Sequence, residues 1–166
     1  MKNFFSIIAA YRLPLTSYWL LLAAYCILPI AYSHAQGISD PTSWSYHVKK
    51  KGTNEYELIF HVELKEGWHI FSQNAGDEFL IPPSFKFKKN GTIKFVGKVS
   101  ERGKLKTERM EGIDNPINYY EAKADFVQVV KARPGVSISG EHEYQVCNDK
   151  MCLPPKKKNF EFVVKD

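Results

Sequence analysis

The chain is expected to fold as an all-β, immunoglobulin-like antiparallel sandwich behind an N-terminal signal peptide. Three observations predict this. Apolar residues recur at period two in one segment after another, turn-forming residues separate the segments, and no stretch of residues 36–166 has helical periodicity. Seven or eight short strands in about 130 residues suit two packed sheets.

The first element stands outside that sandwich. Lys2 and Arg12 are the only charges before Asp40, and residues 13–32, LPLTSYWLLLAAYCILPIAY, carry none. Ser33-His34-Ala35 then places a small residue at each of the two positions a signal peptidase reads. Residues 1–35 are therefore expected to be a secretory signal cut after Ala35, leaving one domain over residues 36–166. The alternative is retention as a membrane anchor, because about 20 apolar residues can span a bilayer. Cys26 does not mark a lipoprotein, since Tyr25 occupies a position that needs a small residue. The first 35 residues hold 2 of the 23 Lys+Arg and none of the 18 Asp+Glu, so the exported part keeps 21 basic against 18 acidic side chains, net +3. Lys156-Lys157-Lys158 reads as a solvated turn, and an exported protein of low net charge is not expected to bind nucleic acid. Export also sets the redox compartment, in which two nearby cysteines can form a disulfide.

Glu55–Leu64 is the clearest strand. Tyr56, Leu58, Phe60, Val62 and Leu64 fall on one face, and Glu57, His61 and Glu63 on the other. The C-terminal segment repeats the pattern, with Phe160, Phe162 and Val164 inward and Glu161 and Lys165 outward. Further strands are predicted over 44–50, 68–72, 84–88, 93–99, 119–130 and 136–147. Between them lie Lys51-Gly52-Thr53-Asn54, Glu66-Gly67, Pro82-Pro83, Asn90-Gly91 and Arg133-Pro134-Gly135, which accept turn dihedrals. Residues 100–118 are polar, end in Asp114-Asn115-Pro116, and are expected to form a long functional loop.

Residues 144–158, YQVCNDKMCLPPKKK, hold Cys147 and Cys152 with four residues between them. The gap is too wide for C-x-x-C, and no second cysteine pair completes a zinc site. With Cys147 ending one strand and Cys152 starting the next, the two oppose each other across a hairpin. Opposed Cα atoms lie about 4.5–5.5 Å apart, within the ~4.4–6.8 Å that a disulfide needs. A bond closing about six residues stabilises by only roughly 2 kcal/mol. Spacing alone leaves a structural and an exchangeable bond equally open. Lys150 and Lys156 to Lys158 favour a thiolate, while Asp149, Glu141 and Glu143 oppose it. Pro154-Pro155 removes two backbone donors beside Cys152, which suits a rim that a partner protein reaches. None of the histidines after the signal, His47, His61, His69 and His142, forms a ligand spacing with the cysteines. His61 reads as an outward strand residue and His142 as a solvated one.

YQVCNDKMCLPP followed by a short closing strand resembles the N-terminal periplasmic domain of the DsbD family of thiol:disulfide interchange proteins. Glu66-Gly67-Trp68-His69-Ile70-Phe71-Ser72 resembles that domain's early Gly-aromatic strand, and residues 119–130 resemble the strand after its cap loop. The likeness covers residues 40–166. It implies an immunoglobulin-like sandwich whose redox pair, here Cys147 and Cys152, cycles between dithiol and disulfide, with no cofactor beyond that pair. It implies a periplasmic or secreted location and a link to cytochrome c biogenesis. Electrons would arrive from a thioredoxin-like domain or a membrane thiol-electron carrier and leave to oxidised periplasmic thiol proteins. Membrane contact is expected only through the signal segment, if it is uncleaved. The family's first cysteine forms the mixed disulfide in at least one direction; which sulfur attacks here stays open.

The chain also departs from the family pattern. The best-known members have one more residue between the cysteines. The 166 residues hold no counterpart of the family's transmembrane and C-terminal thioredoxin-like parts, so electrons are expected from another polypeptide. The family's cap loop shields the sulfurs with an aromatic and carries acids. Asp77-Glu78-Phe79 matches this in composition but precedes the cap in chain order. By order the cap falls in residues 111–120, with Asp114, Tyr119 and Tyr120 as candidates. His69 and Phe71 sit where the family has aromatics close to the cysteines. The alternative function is a non-catalytic secreted sandwich that binds a protein or glycan and keeps a structural disulfide.

Overall fold

The structure, a computed structural model, describes residues 39–109 and 112–165. The expected signal peptide lies outside the described residues, as do Met110 and Glu111, the latter the first residue of the expected cap segment. The described residues form nine strands: β1 (Thr42–Gly52), β2 (Glu55–Leu64), β3 (His69–Phe71), β4 (Ser84–Phe87), β5 (Lys94–Glu108), β6 (Ile117–Lys131), β7 (Ser137–Tyr144), β8 (Val146–Cys147) and β9 (Lys156–Val163). They build two antiparallel sheets. The larger has the order β1-β2-β6-β3-β8 with β5 also on β6, and the smaller has the order β4-β7-β9.

The alternating faces read from the sequence meet between the sheets. Tyr56, Leu58, Phe60 and Val62 from β2 are fully buried with Phe126 from β6, and they pack against Ile138, Phe160 and Phe162 of the smaller sheet. Phe60 is the hinge of this packing: its ring centroid lies 4.6 Å from Phe85, 4.8 Å from Phe160 and 5.0 Å from Phe162. This is the all-β sandwich that the period-two pattern predicts.

Four expectations are corrected. Residues 100–108 are not loop; they extend β5, pairing Ser100 to Gly103 and Leu105 to Glu108 with β6. Most of β5 has both faces in solvent, so no alternation marks it and its backbone pairing alone makes it a strand. It covers an outer face: Arg102 donates two hydrogen bonds, of 3.0 and 2.7 Å, to the otherwise buried Glu57 of β2. The predicted strand 136–147 is two strands in different sheets, β7 and β8, with the chain crossing at Gln145. Lys156, Lys157 and Lys158 open β9 rather than form a turn. Lys156 and Lys158 reach Asp40 at 3.5 and 3.4 Å, and Lys157 reaches Glu141 at 3.7 Å, so these charges are engaged on the smaller sheet. Burial would raise the pKa of Asp40, but hydrogen bonds from Tyr144 and Thr42 and the Lys158 charge outweigh it and hold the group at about 2.

The fourth correction is His142. It alternates with Ile138, Gly140 and Tyr144 on the inward face of β7 and is fully buried. Its ring lies 4.3 Å from that of Trp44, and its Nε2 is 2.8 Å from the Tyr46 hydroxyl. Burial, aided by the Lys158 charge, pushes its pKa down to about 4. A buried histidine with a lowered pKa binds its proton more readily once unfolded, so stability falls as pH drops from the unfolded value near 6.5 through the folded one. Urea melts should show about 3 kcal/mol lost between roughly pH 7 and pH 4, a window above most of the Asp40 titration. The His142→Phe protein should lose most of that slope and keep only the part due to His69, whose pKa burial also lowers; an unchanged slope would show that other groups cause it.

Candidate functional site

The sequence elements around the cysteines converge at the end of the larger sheet. β3 lies between β6 and β8: His69 pairs with Glu121 and with Cys147, Ile70 with Tyr120 and with Val146, and Phe71 with Tyr119. Directly paired residues of an antiparallel ladder point to the same face. Ile70, Tyr120 and Val146 face the sandwich core. His69, Phe71, Tyr119, Glu121 and Cys147 therefore share the opposite face.

That face carries its own small cluster. Phe71, Ala75, Ile117, Tyr119 and Cys147 are buried together, with Leu80 and Ile113 packed against them. β6 supplies the Tyr119 side after changing neighbours. Residues 123–131 pair with β2 and residues 119–121 with β3, and between them Ala122 adopts a left-handed φ of 60°. This conformation is costly for a residue with a Cβ and marks the bend that turns the strand toward the cysteines. The segment after β3 is tied over the cluster. Ser72 N donates to Asn118 O at 2.9 Å, Asn118 N to Ala75 O at 2.8 Å, and Asn118 Nδ2 to Asn74 O at 2.9 Å. At Gly76 (φ 99°) a Cβ would run into the backbone oxygen of Pro116, so only glycine lets the chain pass.

Cys147 and Cys152 form a disulfide as partners in an isolated antiparallel bridge, with Cα atoms 4.0 Å apart. Their opposition follows the four-residue spacing, although the separation is shorter than expected and Cys152 does not begin the closing strand. The intervening turn is organised by Asn148, whose side-chain oxygen accepts from Lys150 N and Met151 N at 2.9 Å each. Leu153 N donates to Val146 O at 2.9 Å, and Gln145 Nε2 donates to Leu153 O at 3.0 Å. The two sulfurs belong to unequal surroundings: Cys147 is 2% exposed, whereas Cys152 is exposed.

Acidic and aromatic groups flank the buried cysteine. The Tyr119 hydroxyl donates to Glu108 at 2.7 Å, and this bond, burial and the nearby acids push its pKa up to about 12. The Tyr119 and His69 rings lie 4.8 Å apart, and His69 and Phe71 5.4 Å apart. His69 is 5% exposed, and its Nε2 has no hydrogen-bond partner among the described residues. Burial lowers its pKa against the opposing pull of Glu121, Asp149 and Glu108. Among the described residues, no three His, Cys, Asp or Glu side chains gather as a metal-holding group.

Of the residues named from sequence, His69, Phe71 and Tyr119 are brought to the face of Cys147. Tyr120 is not: it enters the core, with its hydroxyl 3.0 Å from Glu101. Asp114 is exposed, and its neighbour Ile113 makes the contact with the cluster. Phe79, in the acid–acid–aromatic run, is 87% exposed, whereas Leu80 packs on the cluster. Sequence reasoning missed Ala75, Leu80, Ile113 and Ile117. Ile117 had a readable signal, since it stands two residues before Tyr119 on the same face. The loop residues had none, because packing from a loop leaves no period.

The family model described as thiol:disulfide interchange protein DsbD, N-terminal, matches residues 38–164. No sequence among the curated proteins matches. Among solved structures, the N-terminal periplasmic domain of ScsB from Proteus mirabilis is similar, with a TM-score of 0.58 at 14% identity over 75% of this chain. The chain spans 47% of the length of that structure. The Neisseria meningitidis DsbD n-terminal domain in the reduced form has a TM-score of 0.49 at 14% identity, covering 74% of this chain and 86% of its own. The complex between the DsbD N-terminal and PilB N-terminal domains from the same organism has a TM-score of 0.47 at 16% identity, covering 76% and 88%.

Proposed function

Since the chain belongs to the DsbD N-terminal family of thiol:disulfide interchange proteins, we propose that it relays reducing equivalents in the periplasm through Cys147 and Cys152. A thioredoxin-like domain or membrane thiol-electron carrier supplies the electrons, and oxidised envelope thiol proteins receive them. No cofactor other than the cysteine pair takes part, and the working domain is residues 36–166 after cleavage behind Ala35.

Exchange proceeds by thiolate attack on a disulfide sulfur. The donor's thiolate attacks Cys152, forming a mixed disulfide and expelling the sulfur of Cys147. The donor's second thiol then attacks the mixed disulfide, leaves with the new disulfide, and frees the Cys152 thiol. In the forward step Cys152 opens a target disulfide and Cys147 resolves it. The family expectation of a partner bond at the first cysteine is set aside for Cys152, because access decides which sulfur a protein can reach.

The observation that carries this reading is the disulfide itself: a bond between neighbouring segments at a sheet end, one side open to solvent, enclosing too few residues to contribute more than about 2 kcal/mol. The test is the reduction potential of the pair in the folded protein, by equilibration with glutathione or dithiothreitol. A potential above about −300 mV is expected for an exchange bond. A lower one would replace this reading with a non-catalytic binding module that keeps a structural disulfide.

A further inference from the structure

We propose that His69 is the proton acceptor for Cys147, taking the thiol proton as the buried sulfur attacks the mixed disulfide at Cys152. The inference rests on the exchange reading above and adds a residue to its chemistry.

Register places the two side by side. His69 and Cys147 are bridge partners of adjacent antiparallel strands, so their side chains leave the same face. Tyr119 and Phe71 hold the imidazole from its flanks. Its Nε2 is buried without a hydrogen-bond partner among the described residues, and a native fold rarely leaves such an atom unpaired. The disulfide form is the state in which Cys147 has no proton to donate. Reduction creates an S–H donor on the residue paired with His69, a partner for that nitrogen that the catalytic cycle itself makes.

The charges agree with this assignment. Glu121 of β6, paired with Lys106 of β5, Glu108 of β5, bonded to Tyr119, and Asp149 of the turn all bear on His69. A bare thiolate at Cys147 would meet this acidic surround unfavourably, whereas an imidazolium formed by proton transfer would be stabilised by it. Burial keeps the resting imidazole neutral and able to accept.

The step balances. Cys147 Sγ bonds to Cys152 Sγ while its S–H bond breaks and the proton passes to His69 Nε2. The bond between Cys152 and the target sulfur breaks, and its electron pair leaves on the target thiolate, which is then protonated from His69 or solvent. The target gains two electrons, and the cysteine pair returns to the disulfide.

The test uses reduced protein and Ellman's reagent in stopped flow. Attack by Cys152 releases the first thionitrobenzoate, and resolution by Cys147 releases the second. In His69→Phe, which keeps a ring between Tyr119 and Phe71, the first release should be unchanged. The second should slow at least about tenfold near pH 7 and recover near pH 10, where a thiol ionises unaided. A second release with the wild-type pH profile overturns the proposal. If His69→Phe fails to fold, His69→Gln gives the same comparison, with a slowed second release supporting the proposal and a wild-type profile overturning it. A wild-type disulfide that stays closed in dithiothreitol while the protein is folded overturns the exchange reading and this inference together.

Discussion

The reduced Cys147→Ser protein should take up glutathione from oxidised glutathione at Cys152 at least about tenfold faster than the reduced Cys152→Ser protein does at Cys147. Both variants should lose two-electron exchange completely. The asymmetry follows from burial. Cys147 lies beneath Phe71, Tyr119 and Ile117, with Leu80 and Ile113 against them, whereas Cys152 follows the exposed turn residues Asp149, Lys150 and Met151. A mixed disulfide at Cys152 persists in Cys147→Ser because nothing resolves it. The wild type should show no lasting adduct, since Cys147 expels the glutathione. Mass spectrometry of time points reads all three proteins. Each variant also loses the bond, which should lower stability by about 2 kcal/mol in a urea melt. Equal rates of adduct formation would contradict the unequal access on which the direction of attack depends.

Phe60→Ala should destabilise the domain by about 3–5 kcal/mol and lower its midpoint by roughly 10–20 °C. Phe60 is fully buried, and its ring meets β4 through Phe85 and β9 through Phe160 and Phe162. Removing it takes away ring contacts to three aromatics of the smaller sheet and opens a cavity between layers whose backbones are held by their own ladders. Cavity collapse is therefore limited, which puts the cost toward the upper part of the range. A thermal melt followed by near-ultraviolet dichroism measures it. A shift of only a few degrees would mean that the sheets close over the gap.

The strands that bury one face were legible in the sequence, and those that do not were hidden. β9 alternates in burial, and β2 does so except at Glu57, which Arg102 covers, because one side of each meets the core. The distal half of β5 carries Arg102, Lys104, Lys106 and Glu108 with both faces wet, and hydrogen bonding to β6, the only cause of its strand form, leaves no mark on side-chain pattern. His142 was open to correction from the sequence, since Ile138, Gly140 and Tyr144 flank it at period two; polarity outweighed position in that reading. The cysteine pair and the aromatics of β3 could be named because turn spacing and strand alternation are local. The cover over Cys147 could not, because Ala75 and Leu80 reach it from the β3–β4 loop and Ile113 from the β5–β6 loop. Tyr120 was paired with Tyr119 by adjacency, yet neighbours in a strand face opposite ways, and one became core while the other joined the site.

That opposition runs through the whole end of the larger sheet. Ile70, Tyr120 and Val146 are core, while His69, Phe71, Tyr119 and Cys147 are site, and they alternate residue by residue on the same three strands. Mutational drift therefore meets two unlike constraints within a single strand. A change at an even position of β3 must be answered by repacking between sheets, whereas a change at an odd one alters only what surrounds the sulfurs. Lineages that share this scaffold can vary what surrounds the sulfurs while leaving its interior intact. The shared architecture with the Proteus domain at 14% identity is compatible with that freedom.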